Sequence, residues 1–152
     1  MLRIITILLL ISTNLFSQRV FLGNSNYSEN VICNIKDDKI YENSIFSTNI
    51  IYTIDDNKVY TGNSTYSQDV VLTMSENLVY KGNSTYSEDV ICNIQGNQIY
   101  KGSSTYSNDL IAKIRNNKIY VGGDNDKNII MRFEGDIPMI DIISILHYFN
   151  RL

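Results

Sequence analysis

The chain holds one histidine, His147, three residues beyond Ser144 and six beyond Asp141. A serine, a histidine and an acid spaced in threes along one helix do not hold the hydroxyl against its base, and no glycine-rich oxyanion motif accompanies them. A buried, hydrogen-bonded histidine is therefore the expectation. Asp124, Asp126 and Asn128 have the i, i+2, i+4 oxygen spacing that opens a calcium loop. The sixth position is Ile129 where that loop needs glycine, and the twelfth is Gly135 where it needs glutamate, so the run reads as turn chemistry and no metal is expected.

The only cysteines, Cys33 and Cys92, lie in identical Val-Ile-Cys-Asn-Ile segments, at a place filled elsewhere by Tyr52, Leu72, Ala112 and Met131. The preferred reading is a small buried hydrophobe. An exported chain permits a Cys33–Cys92 disulfide, but matching positions in non-neighbouring units generally stand further apart than a bridge reaches.

One aromatic recurs in the loops: Tyr27, Tyr66, Tyr86 and Tyr106, with Phe46 at the same place in a shorter copy. Asn63 and Asn83 stand three residues before two of these rings, among serines and threonines. Displayed around a ring, such loops have carbohydrate-binding chemistry, with an aromatic face for the sugar and small polar groups for its hydroxyls. The simpler expectation is structural: each ring packs over the neighbouring hairpin and seals a rim, as a residue present in every unit should do. Asn26-Tyr27-Ser28, Asn63-Ser64-Thr65 and Asn83-Ser84-Thr85 also satisfy the N-glycosylation rule, but these residues account for themselves as side chains that satisfy loop backbone groups.

The elements that position these residues repeat. Units begin at Phe21, Tyr41, Tyr60, Tyr80, Tyr100 and Tyr120, spaced by about 20 residues, with one copy a residue shorter. Each holds a short Ile/Val-Tyr segment ending near glycine and a longer run such as Val90-Ile91-Cys92-Asn93-Ile94. Between a long run and the next tyrosine lie short polar links such as Asp37-Asp38 and Asn116-Asn117, which suit tight antiparallel hairpins. Alternation puts Val31, Cys33 and Ile35, and likewise Val70, Leu72 and Met74, on an inner face, with Asn34, Thr73, Asn93, Lys113 and Arg132 on the other.

Six such units predict an all-β fold, a closed antiparallel barrel of about 10–12 strands, too wide for its own side chains to fill. The C-terminus supplies a filling. Asp136-Ile137-Pro138 resembles a helix start, and an apolar stretch without glycine follows, predicting a helix over about 137–150, roughly 21 Å long. Met139, Ile142, Ile143, Leu146 and Phe149 are the expected plug residues. The rival placement is a peripheral or membrane-surface helix, with Asp141, Ser144 and His147 as its polar stripe.

At the N-terminus Arg3 precedes an apolar run from Ile4 to Ile11, which predicts a signal peptide over residues 1–17, cleaved near Ser17, and a single domain over 18–152. Its removal takes the formal charge from −3 to −4, since Arg3 is the leader's only charged residue. A mildly acidic surface without a basic cluster argues against nucleic acid as a partner. Secretion or a periplasmic location is expected, with no transmembrane helix in the mature chain.

Repeated Tyr-x-Gly-Asn-Ser-Thr-Tyr-Ser-x-Asp-Val-Ile units ending in an isoleucine-rich helix resemble the β-flower proteins of bacteria, from about Arg19 to the C-terminus. That resemblance implies a shallow, radially symmetric barrel with hairpin petals and no established chemistry. Strands around an apolar helix are also similar in architecture to tubby-like and scramblase proteins, a likeness that transfers no residues. The sequence expectation is thus a non-catalytic binding or envelope-associated structural protein without a cofactor. Its partner would be a glycan at the loops or, alternatively, lipid at the helix and barrel interior.

Overall fold

A computed structural model describes residues 17–43, 46–122 and 128–152. The predicted leader up to residue 16 lies outside the described residues, as do Asp124 and Asp126 of the calcium-like run.

Each unit contributes a long strand that turns tightly into a short one. The long strands are β2 (Val31–Lys36), β4 (Ile50–Asp55), β6 (Val70–Ser75), β8 (Val90–Gln95) and β10 (Leu110–Arg115). Their short partners are β3 (Lys39–Glu42), β5 (Lys58–Thr61), β7 (Leu78–Lys81), β9 (Gln98–Lys101) and β11 (Lys118–Val121). The chain opens with β1 (Gln18–Leu22) and leaves the sheet after β12 (Ile129–Phe133). Pairing follows chain order round a closed twelve-stranded antiparallel barrel, with β1 closing on β12. In the turns, Asp37 and Asp38 (φ 52° and 59°) and Asn116 and Asn117 (51° and 58°) adopt the left-handed conformation that matches strand twist in two-residue hairpins. Short polar side chains tolerate that conformation best.

The sixth hairpin is made of the two chain-distant strands and has no covalent turn. There Arg19 and Glu134 form an ion pair at 2.7 Å, Arg132 reaches the same carboxylate at 3.7 Å, and the Gln18 side chain donates to the Asp136 carbonyl. The guanidinium groups of Arg19 and Arg132 lie 5.5 and 5.3 Å from the ring centroid of fully buried Phe21.

Register slips once in every unit. Tyr60 pairs with Val70 and Val59 with Leu72, so Val71 is an extra residue. Ile32, Ile51, Ile91, Ile111 and Ile130 are inserted in the same way. Strict alternation fails at these bulges. Val31 and Val70, expected inside, turn to the outer side opposite Phe21 and Tyr60, while Ile32 and Val71 pack against the core.

The outer side is buried too. Thr53 and Thr73 each donate to the carbonyl of Gly62 or Gly82 at 2.7 Å, and Asn93 donates to the Ser104 carbonyl at 3.2 Å. These contacts fold the loops down as petals over the barrel wall. Asn34, Thr53, Thr73 and Asn93 are left only 4–7% exposed, each with its polar atoms satisfied, as burial requires.

Among the described residues the one α-helix, α1, spans Met139–Tyr148, ten residues or about 15 Å, shorter than the expected 137–150 segment. Its start is later because Pro138 occupies the N-cap in an extended conformation and no side chain caps the helix. Asn150 (φ 52°) ends it, with Arg151 N–H bonded to the Leu146 carbonyl at 2.8 Å and Asn150 N–H to the His147 carbonyl at 3.0 Å. Six consecutive residues, Asp141 to Leu146, are buried. A peripheral helix would leave one side wet. Ile142, Ile143, Ile145 and Leu146 instead share one core with residues from all round the sheet, and Met139 and Phe149 pack on it half-buried. The helix plugs the barrel, running from the tight-turn end toward the petal loops.

Candidate binding surfaces at the loop end

Four of the petal loops are built around a serine. Ser64 Oγ accepts the Tyr66 N–H at 3.1 Å and donates to Asp69 Oδ2 at 2.5 Å, while the Asp69 N–H returns to the Tyr66 carbonyl at 2.9 Å. Ser84 with Tyr86 and Asp89, and Ser104 with Tyr106 and Asp109, repeat the arrangement. In the first loop Ser25 accepts from the Tyr27 N–H and from Asn30 Nδ2. The serines satisfy loop backbone, and Tyr27, Tyr66, Tyr86 and Tyr106 are each held by both backbone groups at the start of a short 3₁₀ turn.

The side chains themselves are not packed. Tyr27, Tyr66, Tyr86 and Tyr106 are 67–76% exposed and Phe46 is 89% exposed. This corrects the expectation that the rings seal the rim. The physical reason lies beneath the petals, where the strand tyrosines Tyr60, Tyr80, Tyr100 and Tyr120 already cover the wall and are themselves buried. Asn63 and Asn83 are exposed beside the rings. The structure therefore places Tyr27, Tyr66, Tyr86, Tyr106, Asn63 and Asn83 at one end of the barrel.

The helix brings unrepeated residues to the same end. Tyr52 Oη lies 3.0 Å from His147 Nδ1. Burial lowers the imidazole's pKa and raises that of the Tyr52 phenol, so both changes favour the neutral form of each group. The Tyr148 ring meets Tyr52 edge-on, with centroids 6.1 Å apart, and packs edge-on to Phe149 at 5.0 Å. Tyr148 Oη donates to Glu42 Oε1 at 3.4 Å, and Asn49 Nδ2 donates to Glu42 Oε2. Desolvation first, and then the Glu42 carboxylate, raise the Tyr148 phenol. Sequence reasoning named His147 but missed Tyr52, Glu42 and Tyr148. The available signal was Tyr52 itself, a large ring where other units carry Cys, Leu, Ala or Met.

Ser144, Asp141 and His147 do not assemble a triad. Ser144 donates to the Ile140 carbonyl at 2.6 Å, His147 faces Tyr52, and Asp141 sits near the opposite end of the plug beside Asp38 and Cys33. Burial, and secondarily Asp38, raise the Asp141 carboxyl to about 7 against the pull of its own backbone N–H. Cys33 and Cys92 are free and buried on β2 and β8, six places apart in a ring of twelve strands, with the plug between them.

A groove of about 560 Å³ lies between the β4–β5 tight turn and the petal that carries Thr85, lined by Asp55, Asp56, Lys58, Tyr60 and Ser75 among others. A notch of about 300 Å³ lies at the barrel mouth between Ile51, Tyr52, Thr61, Val71 and Tyr148, with Asn49 on its lip. Among the described residues, no cluster of side chains has a metal-binding arrangement.

A protein-family model described as "6-fold beta flower protein" matches residues 20–146. No curated protein and no solved structure matches the chain.

Proposed function

The chain belongs to the 6-fold β-flower family, and from that premise we propose that it is an exported, non-catalytic binding protein whose loop aromatics form a multivalent platform for polysaccharide. One observation carries the reading: the same residue of five petals presents an exposed ring, and in the Ser64, Ser84 and Ser104 loops the serine already holds the ring's backbone. Single exposed aromatics need no explanation, but a ring displayed five times at one end of a barrel does. Rings held on rigid loops lose little entropy when they bind. Each ring contributes a weak contact of about 1 kcal/mol, and joining several on one polymer raises avidity by roughly 10² to 10⁴.

Export is supported by the apolar leader after Arg3 and by the position of β1, which begins at Gln18, one residue past the expected cut. The absence of catalysis is supported by how the reactive side chains are spent. Ser144 is bonded to its own helix, His147 to Tyr52, and burial raises both thiols to about 12.

The test is an array of bacterial and plant polysaccharides probed with the purified chain. Binding should appear and fall at least tenfold in a Tyr66→Ala, Tyr86→Ala, Tyr106→Ala variant whose melting temperature is unchanged. Binding that survives the triple substitution, or an array without any bound glycan, overturns the reading.

A further inference from the structure

In a six-fold repeat, the residues that depart from the repeat are those the barrel does not need six times. On this chain several departures meet at one point. The second unit has the short petal, with Asn43 (φ 60°) in place of the usual glycine. It also carries Glu42 where the other units have Leu22, Thr61, Lys81, Lys101 and Val121, and Tyr52 where they have smaller or aliphatic side chains. The end of α1 adds His147, Tyr148 and Phe149 at that same edge of the mouth.

Their chemistry is of one kind. The notch has two aromatic walls set at 87° to each other, Tyr52 and Tyr148, and aliphatic walls from Ile51 and Val71. Glu42 stands on its rim, since both groups that donate to its carboxylate, Tyr148 Oη and Asn49 Nδ2, come from residues lining the notch. Among the described residues, no Lys, Arg or His lines the notch. Aromatic faces, apolar walls and a carboxylate rim repel an anion, and the notch's polar groups are largely spent on one another, Tyr148 Oη and Asn49 Nδ2 on Glu42 and Tyr52 Oη on His147. These walls and that rim suit a cation that is greasy on its surface, which draws on the ring quadrupoles and on the carboxylate together. A volume of about 300 Å³ admits a headgroup-sized molecule and excludes a folded partner.

We infer that the notch bounded by Tyr52, Tyr148 and Glu42 is a binding site for a small alkylammonium group, of the quaternary type carried by choline. The site is separate from the petal rings and goes beyond the polysaccharide reading. It draws on the second and third units and the end of the helix, where that reading draws on five loops.

Choline is the probe, titrated into the full chain and followed by calorimetry and by the tyrosine ring resonances. It should bind, and Glu42→Gln, which keeps an acceptor oxygen but removes the charge, should weaken it roughly tenfold, as should Tyr148→Leu. The neutral isostere 3,3-dimethylbutan-1-ol should bind at least tenfold more weakly than choline. Tyr86→Ala should leave choline binding unchanged, which keeps the fate of this site apart from that of the petal platform. Glu42→Gln alters no core residue, so it remains decisive if Tyr148→Leu proves unstable. Phosphatidylcholine vesicles identify the source of the group: Glu42-dependent co-sedimentation assigns a lipid headgroup, and choline binding without co-sedimentation assigns a free or polymer-linked ammonium. Failure of choline to bind, or equal affinity for choline and its neutral isostere, overturns the inference.

Discussion

The hydroxyl of Tyr52, on the barrel wall, meets Nδ1 of His147, on the plug, at 3.0 Å across 95 positions of sequence. Strand β4 thereby holds the helix by its last turn. Tyr52→Phe keeps the ring and its edge contact with Tyr148 but leaves a half-buried ring nitrogen without its hydrogen-bond partner. The loss should be about 1–2 kcal/mol, or roughly 2–8 °C in melting temperature for a domain of this size. Calorimetry checks the first number, and the shift of the His147 ring protons reports the broken contact. An unaltered melting temperature would mean that the bond contributes nothing to holding the plug.

The plug itself is the larger stake. Ile142 is 4% exposed among side chains from all round the barrel. Burying such a side chain contributes about 1.5–3 kcal/mol, and a charge without a partner in its place costs several more. Ile142→Asp should therefore consume most of a typical stability of about 5–15 kcal/mol, whereas Ile142→Leu should cost less than about 1.5. Soluble Ile142→Asp protein that melts at the parent temperature contradicts a buried plug.

Asp141 makes stability depend on pH, and the sign is opposite to that of a salt-bridged acid. Its carboxyl is 5% exposed, and burial, with Asp38 nearby, raises its pKa from 3.8 to about 7. Between these values the folded chain keeps a proton that the unfolded chain releases. This group's contribution is thus fully present below about pH 4, declines as pH rises toward 7, and is lost above it. A shift of that size corresponds to about 4 kcal/mol at most. Asp141→Asn should be more stable than the parent at pH 8 and similar to it at pH 4, by denaturant titration at both. Parallel pH profiles for the two proteins would remove Asp141 as the cause.

Most of the frame was legible because it repeats. The tyrosine spacing marks six units, and polar pairs such as Asp37-Asp38 announce tight turns. The bulges were hidden by their own composition: in Val70-Val71-Leu72 every residue is apolar, so alternation alone cannot tell which one is extra. Burial of Thr73 and Asn93 was equally invisible, since it arises when loops fold back over the wall and not from the strands that carry them. Asp136 looked like a helix cap, yet its carbonyl is taken by Gln18 from the other end of the chain and the helix starts at Met139. The mouth of the barrel needed coordinates, because only closure of the ring brings Glu42 and Tyr52 to Tyr148. Exposure of the petal rings turned on what lies beneath them, which periodicity does not report.

Glu76 occupies the first turn position between β6 and β7 with φ 53°, where the matching residues are Asp37, Asp56, Gly96 and Asn116. A long side chain in the left-handed region costs about 1–2 kcal/mol, much of which asparagine avoids through its short, locally bonding amide. Glu76 is exposed, so nothing else is lost with it. Glu76→Asn should stabilise the chain by roughly 0.5–1 kcal/mol, seen as a higher denaturant midpoint at unchanged slope. Destabilisation would show that the carboxylate has a role that its turn geometry does not reveal.

Cys33 and Cys92 give the most direct check on closure of the barrel around its plug. Both thiols are free and fully buried, and burial pushes their pKa to about 12, helped at Cys33 by Asp141. At pH 8 the thiolate fraction is then roughly a thousandfold below that of an ordinary cysteine, in addition to the barrier of access. The two side chains approach the plug from opposite walls and cannot pair with each other without unfolding. An aromatic disulfide reagent should therefore react negligibly with the native chain and release two equivalents once guanidinium unfolds it without reductant. Rapid native reaction would mean that the wall is open at β2 or β8, and no free thiol after unfolding would mean that the two cysteines meet in a fold other than this one.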